Sequence, residues 1–156
     1  MEFAHWLVVV SALISIAGAY VYIRDTLQGK TKPNRVSWSL WALSPLIGTA
    51  AALYAHADFW ATVRIFLAGF LPLLVFIASF INQKSYWKLT FSDYLCGVCS
   101  VAALVVWGAV GSPRLAILLA ATGDGFATIP TLRKAWKFPE TETKLTYVAS
   151  FVSVLL

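Results

Sequence analysis

Long apolar runs separated by short basic segments are the feature that most restricts how this chain can fold. The runs extend from Trp6 to Ile23, Val36 to Ala55, Ile65 to Ile81, Tyr94 to Val110, Leu115 to Leu132 and Leu145 to Leu156. A helix needs about 20 apolar residues to cross about 30 Å of hydrocarbon, and most of these runs approach that length. Only 12% of the residues are charged and 60% are apolar, whereas soluble domains carry about 25% charged residues. The sequence therefore predicts an all-α polytopic membrane protein with about six transmembrane helices. Glu2 and His5 supply no basic leader to the first run, which continues to Ile23, so it reads as a retained helix rather than a cleaved signal.

The basic residues fix the expected orientation. With the N-terminus outside, the inward connections hold Arg24, Lys30, Lys32, Arg35, Lys84, Lys88, Arg133, Lys134, Lys137 and Lys144, leaving Arg64 and Arg114 for the other face. That asymmetry follows the positive-inside rule, so these loops are expected in the cytoplasm against anionic headgroups. The same clustering between apolar runs argues against nucleic acid as the partner of the +5 net charge. Arg64 is expected to snorkel from the outer end of helix 3. Counted from Thr141 the last run has 16 residues, about 24 Å of helix, which points to a thinned membrane, a partner helix or a longer native sequence.

Sliding the chain by 109 residues brings Tyr22 over Thr131, Arg24 over Arg133, Arg35 over Lys144, Ser37 over Thr146 and Trp38 over Tyr147. Ser15 then falls on Asp124 and Ser44 on Ser153. Both copies run from outside to inside, which makes the repeat parallel. The expected organisation is a first three-helix bundle over 1–82, linker helix 4 with its inside connection over 83–111, and helices 5 and 6 of a second, incomplete bundle over 112–156.

On the helix count, the orientation, the basic loop leading to Ser37 and Trp41, and Ile129-Pro130 before the next basic loop, the chain resembles the SWEET and PQ-loop transporter superfamily. The resemblance implies two parallel three-helix bundles joined by an inversion linker, with a solute path between them. Val21-Tyr22 and Pro130-Thr131 stand where that family has its Pro-Gln pairs, and only Pro45 and Pro130 match its helix prolines.

Asp124 is the one acidic residue deep in an apolar run, where a carboxylate costs about 2.5–3.5 kcal/mol. It is expected to face the bundle interior, flanked by Gly123 and Gly125 and followed by Thr128 and Thr131 along one stripe. Matching stripes are Ser15, Gly18, Ala19 and Tyr22 on helix 1, Ser37, Trp41, Ser44 and Gly48 on helix 2, and Thr146, Ser150 and Ser153 on helix 6. Together they nominate Asp124, Ser15, Trp41, Ser44, Thr128, Ser150 and Ser153 as solute-binding residues, with Pro45 and Pro130 as hinges and Pro72 as a static kink. Helix packing alone is the competing reading for each hydroxyl.

Cys96 and Cys99 read as small packing residues, since no second Cys pair or nearby His completes a metal shell. No hydrolase, metalloprotease, Walker or dinucleotide motif is present, so no enzyme activity, cofactor or metal is expected. The sequence thus reads as a small-solute transporter binding a neutral polar solute, with a sugar as one candidate and homo-oligomerisation left open. A non-transporting membrane subunit or lipid-binding scaffold is the alternative.

Overall fold

Local chemistry sets most of the helix boundaries. Asn34 caps the second helix by accepting hydrogen bonds from the backbone N–H groups of Val36 (3.1 Å) and Ser37 (3.3 Å). Asp58 caps the third through Ala61 N–H at 2.9 Å. Between them the second helix ends in a Schellman motif, in which Ala57 N–H bonds Ala52 O at 2.9 Å and His56 N–H bonds Leu53 O at 3.2 Å. His56 holds the left-handed position, φ 51°, where glycine is usual.

The computed structural model describes residues 3–109 and 113–156. Its helices are α1 (Phe3–Leu27), α2 (Arg35–Tyr54), α3 (Phe59–Ala78), α4 (Phe91–Ala109), α5 (Pro113–Lys137) and α6 (Lys144–Leu155), with 3₁₀ turns at Gln83–Ser85 and Pro139–Thr141. There is no strand among the described residues. The expected end of run 4 at Val110 and the expected boundary between 111 and 112 lie outside them. Three helical stretches, His5–Leu27, Arg35–Tyr54 and Phe59–Ala78, are long and apolar enough to cross a membrane; α4 and α6 offer shorter apolar stretches. The last helix starts three residues after Thr141, because Pro139–Thr141 turn as a 3₁₀ element and Glu142 and Thr143 are extended. At 12 residues, α6 spans about 18 Å.

Packing places α3 against both α1 and α2, α6 on α1, and α4 on α5, with α2 touching α4 and α5. Small residues mark the close approaches. A Cβ on Gly69 of α3 would stand 2.9 Å from Ala42 O on α2, and one on Gly18 of α1 would stand 2.8 Å from Ala149 Cβ on α6. Ser100 of α4 donates to Gly123 O of α5 at 2.8 Å. Cys96 is buried and Cys99 partly so, both as free thiols. Large apolar side chains such as Leu13, Phe66, Val105 and Phe151 remain exposed, which suits a lipid solvent rather than water.

The three basic connections gather at one end. Lys32 N–H bonds Thr141 O at 3.0 Å, Asn82 donates to Leu27 O at 2.8 Å, Arg133 donates to Ser92 Oγ at 2.5 Å, and Trp87 packs edgewise on Phe138. Arg35 reaches across to the end of α3, donating to Ser79 O at 2.7 Å, where a cation meets the negative end of the helix dipole. At the opposite end His5 stacks on Trp60 with ring centroids 5.0 Å apart.

Candidate functional site

The stripe on α1 meets the stripe on α6. Thr146 donates to Gly18 O at 2.8 Å, and the Ser15 and Ser153 hydroxyls lie 2.6 Å apart. A residue spacing of three or four keeps each set on one helix face, and the lack of bulk at Gly18 lets the two helices close together. Where they diverge from α3 they leave a cleft of about 190 Å³, lined by Ser15, Arg64, Pro72, Ser150 and Ser153, with Trp38 of α2 also in its wall. That is less than the ~300–1,000 Å³ typical of drug-sized ligands.

Arg64 comes from α3, one and a half turns into the helix. Its Nη2 donates to Ser153 O at 2.9 Å and to Ser153 Oγ at 3.1 Å. Rather than snorkelling alone, it lines the cleft. Trp38 is buried and its indole N–H has no partner among the described residues. Both residues were missing from the sequence nomination. Trp38 stood in the repeat alignment over Tyr147, and that coincidence of aromatics was the available signal; Arg64 gave none beyond its charge inside an apolar helix.

A second cluster lies toward the basic end. Glu142 is buried and accepts hydrogen bonds from the Tyr22 hydroxyl at 2.6 Å and the Tyr147 hydroxyl at 2.8 Å, while its other oxygen pairs with the Lys134 ammonium. Lys134 is also buried, bonds Lys32 O, and lies 5.1 Å from the centre of the Trp87 ring. Beyond the apolar run that ends at Leu132, burial pushes the Lys134 ammonium below its ordinary range, against the pull of Glu142. Tyr22 packs on Trp38 at 4.7 Å between centroids, so the two clusters adjoin. Lys134 was expected among the headgroup cations and is instead an interior residue.

The remaining nominated residues do not join the cleft. Asp124 is exposed on α5, which corrects the expectation that it faces the interior. The neighbouring Gly123 and Ala127 are buried, with Gly123 against Ser100 and Ala103 of α4, and the helix is thereby turned with Asp124 outward. Thr128 bonds back to Asp124 O at 2.8 Å within its own helix. Trp41 packs edge-on to Trp38 at 5.3 Å, and Ser44 is half-buried on α2. Pro45 and Pro130 sit inside helices that continue through them, and Pro130 borders a separate hollow beside Trp87 and Arg133.

Comparison of the chain with protein-family models, with curated proteins and with solved structures finds no match.

Proposed function

We propose that this protein is a transporter-like membrane protein that takes a small polar solute into the cleft among α1, α3 and α6. In this reading six helices cross the membrane with the N-terminus outside and the gathered basic loops in the cytoplasm. The observation that carries the proposal is the convergence of Ser15, Ser150 and Ser153, from two helices far apart in sequence, on one cleft that also holds Arg64. Further support comes from helix pairing. A parallel repeat that relates α1 to α5 and α2 to α6 exchanges the α1–α6 contact with the α2–α5 contact, and both occur.

The Glu142–Lys134 cluster with Tyr22 and Tyr147 acts in this reading as the inner seal, so the cleft belongs to a state closed toward the cytoplasm. Pro45 and Pro130 supply the bending points when the seal opens. The test is uptake of labelled sugars and hydroxy acids into vesicles holding the purified protein. Uptake lost in Ser15→Trp, which fills the cleft, supports the reading; absence of uptake across the panel counts against transport.

Exposed Asp124 favours the second reading, a non-transporting subunit, because a carboxylate on the outer face of a membrane helix needs a polar partner. Water accessibility separates the two. In a Cys96→Ala/Cys99→Ala background, Ser150→Cys reacts with a small aqueous thiol reagent in a transporter and stays silent in a solid scaffold.

A further inference from the structure

We infer that the cleft among α1, α3 and α6 selects an oxyanion: the solute it takes carries a carboxylate or phosphate group that docks on Arg64. This rests on the reading of the cleft as a solute site and narrows it from polar solutes in general to anionic ones. The lining is mostly apolar, with its donors gathered at Arg64 and the serines. Arg64 uses one terminal nitrogen on Ser153, while its Nε and other terminal nitrogen bond nothing among the described residues. Ser150 adds a hydroxyl, and the Ser15 and Ser153 hydroxyls, bonded to each other at 2.6 Å, leave one further O–H between them.

No carboxylate lines the cleft, and no ion pair to Arg64 occurs among the described residues. A guanidinium half-buried in an apolar helix bundle is costly when no anion faces it. Its planar fork is suited to two parallel bonds with a carboxylate or phosphate. The Ser153 carbonyl, in the last turn of α6, offers it the negative end of that helix's dipole, about half a charge, and leaves it without a full counter-charge. A neutral polyol would leave that charge unanswered, whereas an oxyanion answers it.

Glu142 lies on the far side of Tyr22 and is already neutralised by Lys134. It therefore does not compete for Arg64. A lipid phosphodiester offers the same chemistry as a free solute, and the experiment is arranged to separate them.

The protein is purified in phosphate-free maltoside micelles as Cys96→Ala/Cys99→Ala/Ser150→Cys, and the rate of thiol modification at the cleft is followed. The probes are lactate, inorganic phosphate, and lactamide as the neutral counterpart of lactate. The expected result is saturable protection by lactate or phosphate and none by lactamide. Arg64→Gln should weaken protection about tenfold or more, the loss of a charge-assisted contact, while Arg64→Lys, which keeps the charge and loses the fork, should weaken it less. The lysine variant also keeps the charge beside Ser153, so a folding defect in Arg64→Gln does not decide the matter.

Equal protection by lactate and lactamide, or lactate protection untouched by Arg64→Gln, overturns the anion assignment and leaves the cleft as a solute site. Protection by added phosphatidylglycerol with none from either free oxyanion also overturns it, assigning Arg64 to a headgroup. A cysteine at 150 that never reacts removes the solute cleft itself.

Discussion

Separating Lys134 from Glu142 should destabilise the fold far more than removing both. The two side chains are 1% and 3% exposed, so neither charge can turn to water when its partner goes. Breaking such a pair from one side costs about 3–5 kcal/mol, whereas replacing both partners by uncharged groups of similar volume is often neutral or favourable. In Lys134→Met the Glu142 carboxylate keeps the Tyr22 and Tyr147 hydroxyls, which brings the expected loss to the lower end, about 3 kcal/mol. In Glu142→Gln the ammonium keeps the Lys32 carbonyl and the face of Trp87, with a similar expected loss.

The double variant retains an amide oxygen for the tyrosine hydroxyls and buries no charge, so its loss should be about 1 kcal/mol, less than either single change. The coupling then amounts to about 5 kcal/mol relative to additivity. Unfolding of the micelle-held protein by sodium dodecyl sulfate, followed by tryptophan fluorescence and circular dichroism, measures the three losses. Additivity within about 0.5 kcal/mol would refute the claim that the two charges depend on each other.

Three further changes test other parts of the structure. Gly69→Val places a branched side chain against Ala42 O and the backbone of Leu46, so α2 and α3 must separate and stability should drop by about 1–3 kcal/mol in the same assay. His56→Gly removes the left-handed strain at the end of α2, about 1–2 kcal/mol, against about 0.4–1 kcal/mol for the freer unfolded chain, and should raise the melting temperature slightly. Asn34→Ala deletes the α2 cap and should cost about 1 kcal/mol, with faster amide exchange at Val36 and Ser37.

The cleft was half legible in the sequence. Ser15, Gly18, Ser150 and Ser153 follow helical spacing, and spacing fixes which residues share a face, so stripes read from α1 and α6 could meet as they do. Position along the helix was legible too, since Asp124 falls near the middle of α5. Its direction around the axis was not. That depends on which side of α5 packs on α4, and the close approach at Gly123 decides it through a contact with no periodic signature. The inner cluster was hidden for another reason. Glu142 reads as a loop residue until the 3₁₀ turn at Pro139–Thr141 and the two extended residues after it carry the carboxylate under Tyr22.

These two polar clusters have consequences for each other. Glu142 is cancelled by Lys134, while no carboxylate pairs with Arg64 among the described residues, so in the proposed transport reading the cleft has a cation in its wall and a neutral seal beyond its Trp38 side. Low dielectric between them lets any imbalance in the seal act on the cleft. Lys134→Met leaves Glu142 uncancelled and should weaken oxyanion protection of the cleft, while Glu142→Gln leaves a cation and should strengthen it. Opposite shifts from the two single variants, with the double variant returning near the parent, would follow only if the seal is electrostatically part of the site; shifts of the same sign in both would mean that each acts by loosening the helices.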